Sequence, residues 1–360
     1  MQSDHRVTHV WTASVQWAVV LGTTCVVGIS TLFSAVEFSV FRSDVKHYID
    51  WSHGLFEFGG FESHMPGFSA LIALMRILTF GLFSDVTVAR IVAYIAWLSS
   101  IFIIREILKI SSPKFTNFGI ALFSFFPFVT QSYIAYPLTE TTARCVFLAA
   151  FLSMLQKRWF TFTLFVSLGL LIHQAFWPCY LFLTFVCVFQ YRMKWICAIG
   201  SVLPLAAYYV YMAIVLNSWN WIYSGHSRMH LSSGGHVVLF EGIAQSFVLG
   251  DVIGVLKSTA VTTILIVSLY LVFKLWVKKE WSYVAFLVSI VFFAPIASEK
   301  IMFLVVRLSP LLVVPFFRAF RENEVLCQVS SSRIVTVLMS IGLAGTQFAW
   351  AYYIWRFFPS

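Results

Sequence analysis

The chain has 360 residues, of which 60% are apolar and 11% are charged, and its formal net charge is +9. Soluble domains are about half apolar and about a quarter charged, so this composition excludes an ordinary soluble protein. An excess of Lys and Arg is typical of the cytoplasmic loops of membrane proteins, and we therefore expect membrane lipids, and no nucleic acid, as partners.

Apolar segments long enough to cross a bilayer as helices recur along the chain. Because backbone polar groups in lipid must be satisfied within the segment, the sequence predicts an all-α fold, a polytopic transmembrane bundle of about 11–12 helices. We expect a single integral membrane domain, residues 1–360, in which 17–38 is an uncleaved first span. The apolar segments lie at 17–38, 65–83, 86–104, 118–136, 139–156, 159–176, 178–191, 195–216, 252–277, 281–297, 301–317 and 334–355.

Five short connections between these segments each carry at least two basic residues, which predicts that they face the cytoplasm. They are "REILKISSPK", "QKRW", "QYRMK", "VKKE" and "FRAFRENE". Counting crossings from them places the polar segment 217–251 outside the cytoplasm. Segment 39–64 also lies outside if 65–83 enters the membrane and returns or lies at the interface, which we favour, but it is cytoplasmic if 65–83 crosses. A bacterial inner membrane is the favoured location, and the endoplasmic reticulum is the alternative.

The stretch "FRSDVKHYIDW" within 39–64 is rich in ionisable residues. A helix over 41–52 would place Asp44, Tyr48 and Trp51 on one face, which predicts an amphipathic helix in the first extracytoplasmic loop. Glu62 and His64 follow, just before the next apolar segment. The alternative is a solvated loop whose charges only keep it out of lipid.

Two further groups of charges reach the same outer face in the favoured topology. In "YPLTETTARC", Glu140 and Arg144 lie one helical turn apart at the start of a span. In "SEKIMFLVVRLSP", Lys300 lies in an outer turn, and Arg307 follows seven residues later, inside the next span. Charges at membrane depth are costly and usually functional, so a polar cavity is predicted. The alternative is a self-neutralising pair of Glu140 with Arg144, and His173 is more typical of a hydrogen-bonded core histidine.

The six cysteines show no paired spacing and mostly lie in apolar segments, so they are interpreted as packing residues.

These motifs resemble those of the GT-C superfamily of membrane glycosyltransferases, which includes protein O-mannosyltransferases, aminoarabinose transferases of lipid A and the mannosyltransferases of glycolipid-anchor assembly. "SDVKHYIDW" is similar to the family's Asp-x-x-x-Tyr element, which maps onto Asp44 and Tyr48. "HMPGFSALIALMRIL" is similar to the Pro-led helix that follows it. "FFPFVTQSYIAYPLTETTARCVFLAAF" maps the second acidic position onto Glu140, and "VVRLSPLLVVPF" carries Arg307. The turn "HQAFWP" departs from the Arg- or Pro-rich turn of many relatives.

The resemblance implies an inverting transfer of a sugar from a polyprenyl-phosphate donor to a lipid or glycan acceptor, outside the cytoplasm. Asp44 would be the general base that takes the acceptor's proton. Arg307 and Lys300 would stabilise the leaving phosphate. Glu140 and His64 would position the acceptor or Asp44.

The remaining predicted substrate-binding residues are Tyr48, Glu62 and Arg144. No cofactor is predicted, although Asp44 and Glu140 together could bind a divalent metal.

Three other classes stay open. A transporter or flippase of a lipid-linked sugar explains charged groups at membrane depth equally well, but it favours inverted repeats that the sequence does not display. An O-antigen-type polymerase would have basic residues in two large outer loops. A membrane O-acyltransferase would need a buried His with a polar partner, for which His173 is the candidate.

Overall fold

The computed structural model describes residues 44–53, 65–125, 139–219, 239–248, 252–296 and 302–332, together with single positions within 18–25 and 334–345. All regular secondary structure in these residues is helical, which confirms the all-α prediction. The helices are α1 Asp44–His53, α2 Gly67–Leu78, α3 Asp85–Ser111, α4 Thr116–Phe125, α5 Thr139–Leu155, α6 Trp159–Ile172, α7 Trp177–Tyr191, α8 Trp195–Val215, α9 Glu241–Val248, α10 Val252–Val277, α11 Trp281–Phe293, α12 Met302–Leu308, α13 Val313–Ala319 and α14 Glu324–Ser331.

The helices agree with the predicted apolar segments in most places. Three of them are long and apolar enough to cross a membrane: α3, α8 and residues 254–277 of α10. The segment predicted at 301–317 is interrupted, because α12 and α13 are separated by a 3₁₀ turn, Ser309–Leu312. Segments 17–38 and 334–355 fall almost entirely outside the described residues, so their predicted crossings stay predictions.

Several of the predicted basic turns meet at one end of the bundle, which we call the basic end (residues 111–115, 191–195, 277–282 and 318–323). Arg318 donates from Nη1 to the carbonyl oxygen of Ser111 over 2.9 Å and pairs with the carboxylate of Glu280. The hydroxyl groups of Tyr191 and Ser282 are hydrogen bonded at 3.2 Å. These contacts tie the ends of α3, α7 and α13 to the start of α11.

The opposite end, which we call the site end, is formed by residues 139–144, 172–177 and 302–309. It brings together the start of α5, the end of α6 and the whole of α12. Between the two ends the bundle is filled by aromatic rings: Phe286 packs edge-to-face against Phe147 and Phe151, with centroids 5.1 and 4.6 Å apart. Offset and edge-to-face pairs of this kind are the favoured aromatic geometry and fix how α5 and α11 sit against each other.

Both ends of α2 lie at the site end. Gly67 packs so closely against the end of α6 that an added Cβ would lie 2.7 Å from the carbonyl oxygen of Leu171. At the other end of α2, Arg76 pairs with Asp85, the first residue of α3. Because the last residue of α3, Ser111, is at the basic end, Asp85 lies at the opposite end of the bundle, the site end. With 12 residues, α2 is about 18 Å long at 1.5 Å per residue, too short for a bilayer core of about 30 Å. Both ends of α2 thus lie at the same end of the bundle, as the favoured arrangement requires, and the path of segment 65–83 relative to a membrane stays a prediction.

Helix α1 docks on α2 and α3 through an apolar face. Val45, Tyr48 and Ile49 are buried, and the ring of Tyr48 meets that of Phe68 edge-to-face at 5.4 Å. Lys46 lies on the exposed side. The segment is thus an amphipathic helix, as predicted, and not a solvated loop. The predicted face is wrong in part, because Tyr48 and Trp51, which were placed on the presented face with Asp44, are buried.

A polar network closes the end of α1. His53 Nε2 is 2.8 Å from Asp85 Oδ2, and Arg76 lies 2.6 Å from the other ring nitrogen, Nδ1. Arg76 also donates to the carbonyl oxygen of Ser52 over 3.2 Å. Guanidinium groups only donate, so Nδ1 of His53 accepts and its proton is on Nε2, facing the carboxylate.

The long polar segments 39–64 and 217–251 are described only in part. Within the second, α9 forms a hairpin with α10, and the amide of Phe240 donates to the carbonyl oxygen of Pro295 over 2.6 Å. All six cysteines lie among the described residues and none forms a disulfide. Cys179 and Cys187 are buried, as expected of packing residues.

Candidate functional site

Four ionisable side chains converge at the site end. Glu140 and Arg144 come from the first turns of α5, His173 follows the last residue of α6, and Arg307 lies near the end of α12. We call these four residues the site cluster. Three of them were predicted as site residues, and the structure brings those three together. The predicted residues Glu62, His64 and Lys300 lie outside the described residues.

The centre of the site cluster is an ion pair between Arg307 and Glu140. Arg307 Nη1 donates to Glu140 Oε1 over 2.5 Å, across 167 residues of sequence. The side chain of Glu140 is 6% exposed and that of Arg307 is 27% exposed. The sequence left open a pairing of Glu140 with Arg144 on the same helix. The carboxylate of Glu140 is instead held by Arg307, 2.5 Å away on α12. Charge-assisted hydrogen bonds of this kind are short and strong.

Arg144 has a different task from Arg307. It is buried, and it donates to the carbonyl oxygen of Arg307 over 3.2 Å and to Thr141 Oγ1 over 3.3 Å. Pro310 lies three residues after the carbonyl that Arg144 reaches, and it has no amide to donate to the carbonyl of Val306, its acceptor in an unbroken helix. Ser309 Oγ donates to that carbonyl of Val306 instead, over 2.7 Å. The hydrogen bond from Arg144 therefore stabilises the backbone of Arg307, just before α12 gives way to the 3₁₀ turn.

The ring of His173 is oriented by the turn that follows α6. Its Nδ1 accepts the amide of Ala175 over 3.0 Å, so the proton of the neutral ring is on Nε2. Nε2 lies 4.0 Å from Oε1 of Glu140, the same oxygen that Arg307 holds. The carbonyl of Ala175 in turn accepts from Ser289 Oγ over 2.7 Å, which ties the turn to α11. The sequence analysis considered His173 only as a core histidine or as the candidate of an acyltransferase, and it missed Ser289. The Ser309-Pro310 pair is the sequence signal that could have predicted the break after α12.

The site cluster carries more positive than negative charge. Arg144 and Arg307 contribute two guanidinium groups, and Glu140 contributes one carboxylate. Of the three, Arg307 is the one with a substantially accessible side chain, whereas Glu140 and Arg144 are buried. An excess cation in a low-dielectric region favours an anionic ligand.

Helix α1 is the second part of the candidate site. Asp44, the predicted base, is its first residue, and the described contacts do not extend to its side chain. Tyr48 was predicted to bind substrate, but its ring is buried, packed against Phe68 and Trp51 with centroids 5.4 and 5.9 Å apart. His47 is exposed and stacks on Trp51 at 5.6 Å. The binding role of Tyr48 stays a prediction, since packing accounts for its position.

Within the described ranges, no group of three or more His, Cys, Asp or Glu side chains is arranged to hold a metal ion. Comparison of the chain with protein-family models, with curated proteins and with solved structures finds no match. The chemistry of the site is therefore argued from its residues.

Proposed function

We propose that the protein is a polytopic membrane glycosyltransferase of GT-C type that moves a sugar from a polyprenyl-phosphate donor to a lipid or glycan acceptor at its extracytoplasmic face. The observation that carries the proposal is the ion pair between the buried Glu140 and the partly exposed Arg307, joined at 2.5 Å. It holds an accessible guanidinium in a fixed place within an apolar bundle. A lipid phosphate is an anion that reaches such a place from the bilayer.

The position of the site cluster supports the proposed sidedness. It lies at the end of the bundle opposite the basic end, where Arg318, Lys278 and Lys279 gather. Basic residues near membrane-spanning segments favour the cytoplasmic side. The site end then faces outward, where a polyprenyl-linked sugar would be consumed. An inner bacterial membrane is the favoured setting, as in the sequence analysis.

The reaction we propose is a single displacement. The acceptor hydroxyl oxygen forms a bond to the anomeric carbon as the bond from that carbon to the phosphate oxygen breaks, and the phosphate oxygen keeps the electron pair. Asp44 takes the proton of the hydroxyl. Arg307 stabilises the departing lipid phosphate, which needs no proton. One displacement inverts the anomeric configuration.

The anchoring of α1 supports the assignment of Asp44 to this reaction. The helix is packed on α2 by Tyr48 and held at its far end by His53 and Arg76. Because both ends of α2 are at the site end, α1 is held there as well. A base must be fixed within hydrogen-bond reach of its substrate, which a docked helix achieves better than a loop.

The test is transfer of radiolabelled sugar from a panel of polyprenyl-phosphate sugars in proteoliposomes. Wild type, Asp44→Asn and the matched control Asp50→Asn, an exposed carboxylate on the same helix, are compared. We expect transfer by wild type and Asp50→Asn and a loss of about a hundredfold or more in Asp44→Asn, the usual contribution of a general base.

Two other outcomes would contradict the proposal. Equal transfer by all three proteins removes Asp44 from the mechanism. No transfer from any donor, with movement of the labelled donor across the bilayer, identifies a transporter of a lipid-linked sugar instead.

A further inference from the structure

We propose that Arg307 is an exchangeable cation. It is paired with Glu140 and turns to the donor's phosphate when the donor binds, while His173 takes its place on the same carboxylate oxygen. His173 is then a positioning residue that makes Arg307 available. This inference rests on the proposed function, because it requires that the site binds a phosphate-bearing ligand.

The first step of the argument is competition for one guanidinium. Arg307 Nη1 is 2.5 Å from Glu140 Oε1. A phosphate that binds the same guanidinium competes with this carboxylate, since the two anions repel each other. Arg307 is the member that can move, because 27% of its side chain is exposed against 6% for Glu140.

The second step is the fate of the carboxylate. A buried carboxylate that loses its cation pays a large desolvation cost unless another donor replaces it. His173 Nε2 carries the ring proton and lies 4.0 Å from Oε1, the very atom that Arg307 would release. A hydrogen bond needs about 2.9 Å, so a shift of about 1 Å completes the exchange.

The third step is the support on either side. The amide of Ala175, 3.0 Å from Nδ1, keeps the proton of His173 on the nitrogen that faces Glu140. Arg144 donates to the carbonyl oxygen of Arg307 over 3.2 Å and so holds the backbone of Arg307 in place. The side chain of Arg307 can therefore change partner while its helix stays in place.

The experiment measures binding of farnesyl phosphate to the detergent-solubilised full-length protein, with inorganic phosphate and uncharged farnesol as comparison ligands. Glu140→Gln removes the competing charge, so we expect farnesyl phosphate to bind about fivefold tighter or more, within the usual range of coupling between sites. A merely structural pair predicts the opposite, because its loss would disorder the site. Glu280→Gln breaks a similar Arg–Glu pair at the basic end and should leave binding unchanged.

A double-mutant cycle isolates His173. His173→Phe should weaken farnesyl phosphate binding several-fold in the wild-type background and have no effect in the Glu140→Gln background, where no carboxylate needs a replacement partner. His173→Gln keeps an N–H donor and should restore part of the affinity. An equal effect of His173→Phe in both backgrounds, or weaker binding by Glu140→Gln, overturns the exchange.

If Glu140→Gln does not fold, infrared difference spectra of the unmutated protein with ¹³C-labelled glutamate provide the same answer. Adding farnesyl phosphate should shift a glutamate carboxylate band as its partner changes from guanidinium to imidazole. A spectrum without that shift overturns the exchange and leaves the proposed function intact. Absence of any farnesyl phosphate binding by wild type would overturn the proposed function itself. Equal binding of inorganic phosphate and farnesyl phosphate would overturn the lipid-phosphate donor of the proposed function and leave the exchange intact.

Discussion

Arg144 donates from Nη1 to the main-chain carbonyl oxygen of Arg307, 163 residues further along the chain, over 3.2 Å. One arginine thus supports the backbone on which the other is mounted. The two side chains have the same charge but different surroundings, since Arg144 is 2% exposed as a residue and the Arg307 side chain is 27% exposed. Burial and hydrogen bonding, and not charge alone, separate a supporting residue from one that can reach a ligand.

This division predicts different effects of substituting the two arginines. Arg144→Ala leaves the carbonyl of Arg307 and Thr141 Oγ1 without this donor, and we expect a loss of about 1–3 kcal/mol in the free energy of unfolding. Arg307→Lys keeps a cation beside Glu140 and should change stability little, while transfer falls because a lysine cannot offer two parallel donors. Thermal unfolding in detergent and the proteoliposome assay measure the two quantities.

Arg105→Ala is the control for that comparison, because its side chain is 38% exposed and sits in a surface pair with Glu106. Surface pairs contribute less than about 1 kcal/mol. A stability loss in Arg307→Lys as large as in Arg144→Ala would contradict the division of roles.

The topology makes a second prediction about segment 65–83. In a variant without native cysteines, thiols introduced by Asp50→Cys and Ser84→Cys should react with a membrane-impermeant maleimide from the same side, since both ends of α2 are at the site end. A thiol introduced by Gln156→Cys, in the turn between α5 and α6, should react only from the other side. Labelling of positions 50 and 84 from opposite sides would show that the segment crosses.

The helices themselves were largely predictable from the sequence. Hydropathy marked α10 at its exact bounds and α5 to within one residue, because a long apolar run flanked by basic residues has few other structures available. The short reach of α2 was left open, because 65–83 carries a single charged residue, Arg76, and hydropathy does not reveal that Gly67 packs on Leu171.

The site was predictable in composition but not in its pairings. Glu140, Arg144 and Arg307 could be selected because charge is rare in these spans. That Glu140 pairs with Arg307 depends on which helices are neighbours, and hydropathy carries no information on neighbours. The supporting role of Arg144 depends on the packing of α5 against α12, which brings its guanidinium to the carbonyl of Arg307 beside the break at Pro310.

A third prediction concerns the contact between Gly169 in α6 and Tyr180 in α7. A Cβ added at Gly169 would lie 2.1 Å from two atoms of the tyrosine ring end, which is far inside van der Waals contact. Gly169→Ala should therefore lower the free energy of unfolding by about 1–3 kcal/mol, the usual cost of overpacking a core. The substitution should also disturb the hydrogen bond that the hydroxyl of Tyr180 donates to the carbonyl oxygen of Ala143 over 3.2 Å. Ala143 directly precedes Arg144 of the site cluster.

Gly200→Ala provides the matched control for this substitution. Its added Cβ would meet only Thr163, at an ordinary 3.6 Å, and alanine is the better helix former by about 1 kcal/mol. Thermal unfolding should show a lower midpoint for Gly169→Ala and an equal or higher one for Gly200→Ala. Equal unfolding midpoints for the two variants would contradict the prediction, because α6 and α7 would then accommodate the added methyl group without loss of stability.

A fourth prediction ranks the two forces that hold α1 in place. Phe68 is 0% exposed and packs on Tyr48, so Phe68→Ala removes an aromatic contact and leaves a cavity, at a cost of about 3–5 kcal/mol. The side chain of His53 is 53% exposed, so its bonds to Asp85 and Arg76 are screened, and His53→Ala should cost under about 1 kcal/mol. Apolar packing should therefore dominate the docking of α1.

The labelling rate of a thiol introduced by Ser52→Cys, in the cysteine-free background, reports the docking directly, because Ser52 is 2% exposed. Phe68→Ala should raise that rate strongly and His53→Ala only slightly. If His53→Ala raises it as much as Phe68→Ala, the polar network and not the apolar face holds α1 on the bundle. Asp44 would then be positioned by charges that salt can screen, and sugar transfer would fall with rising ionic strength.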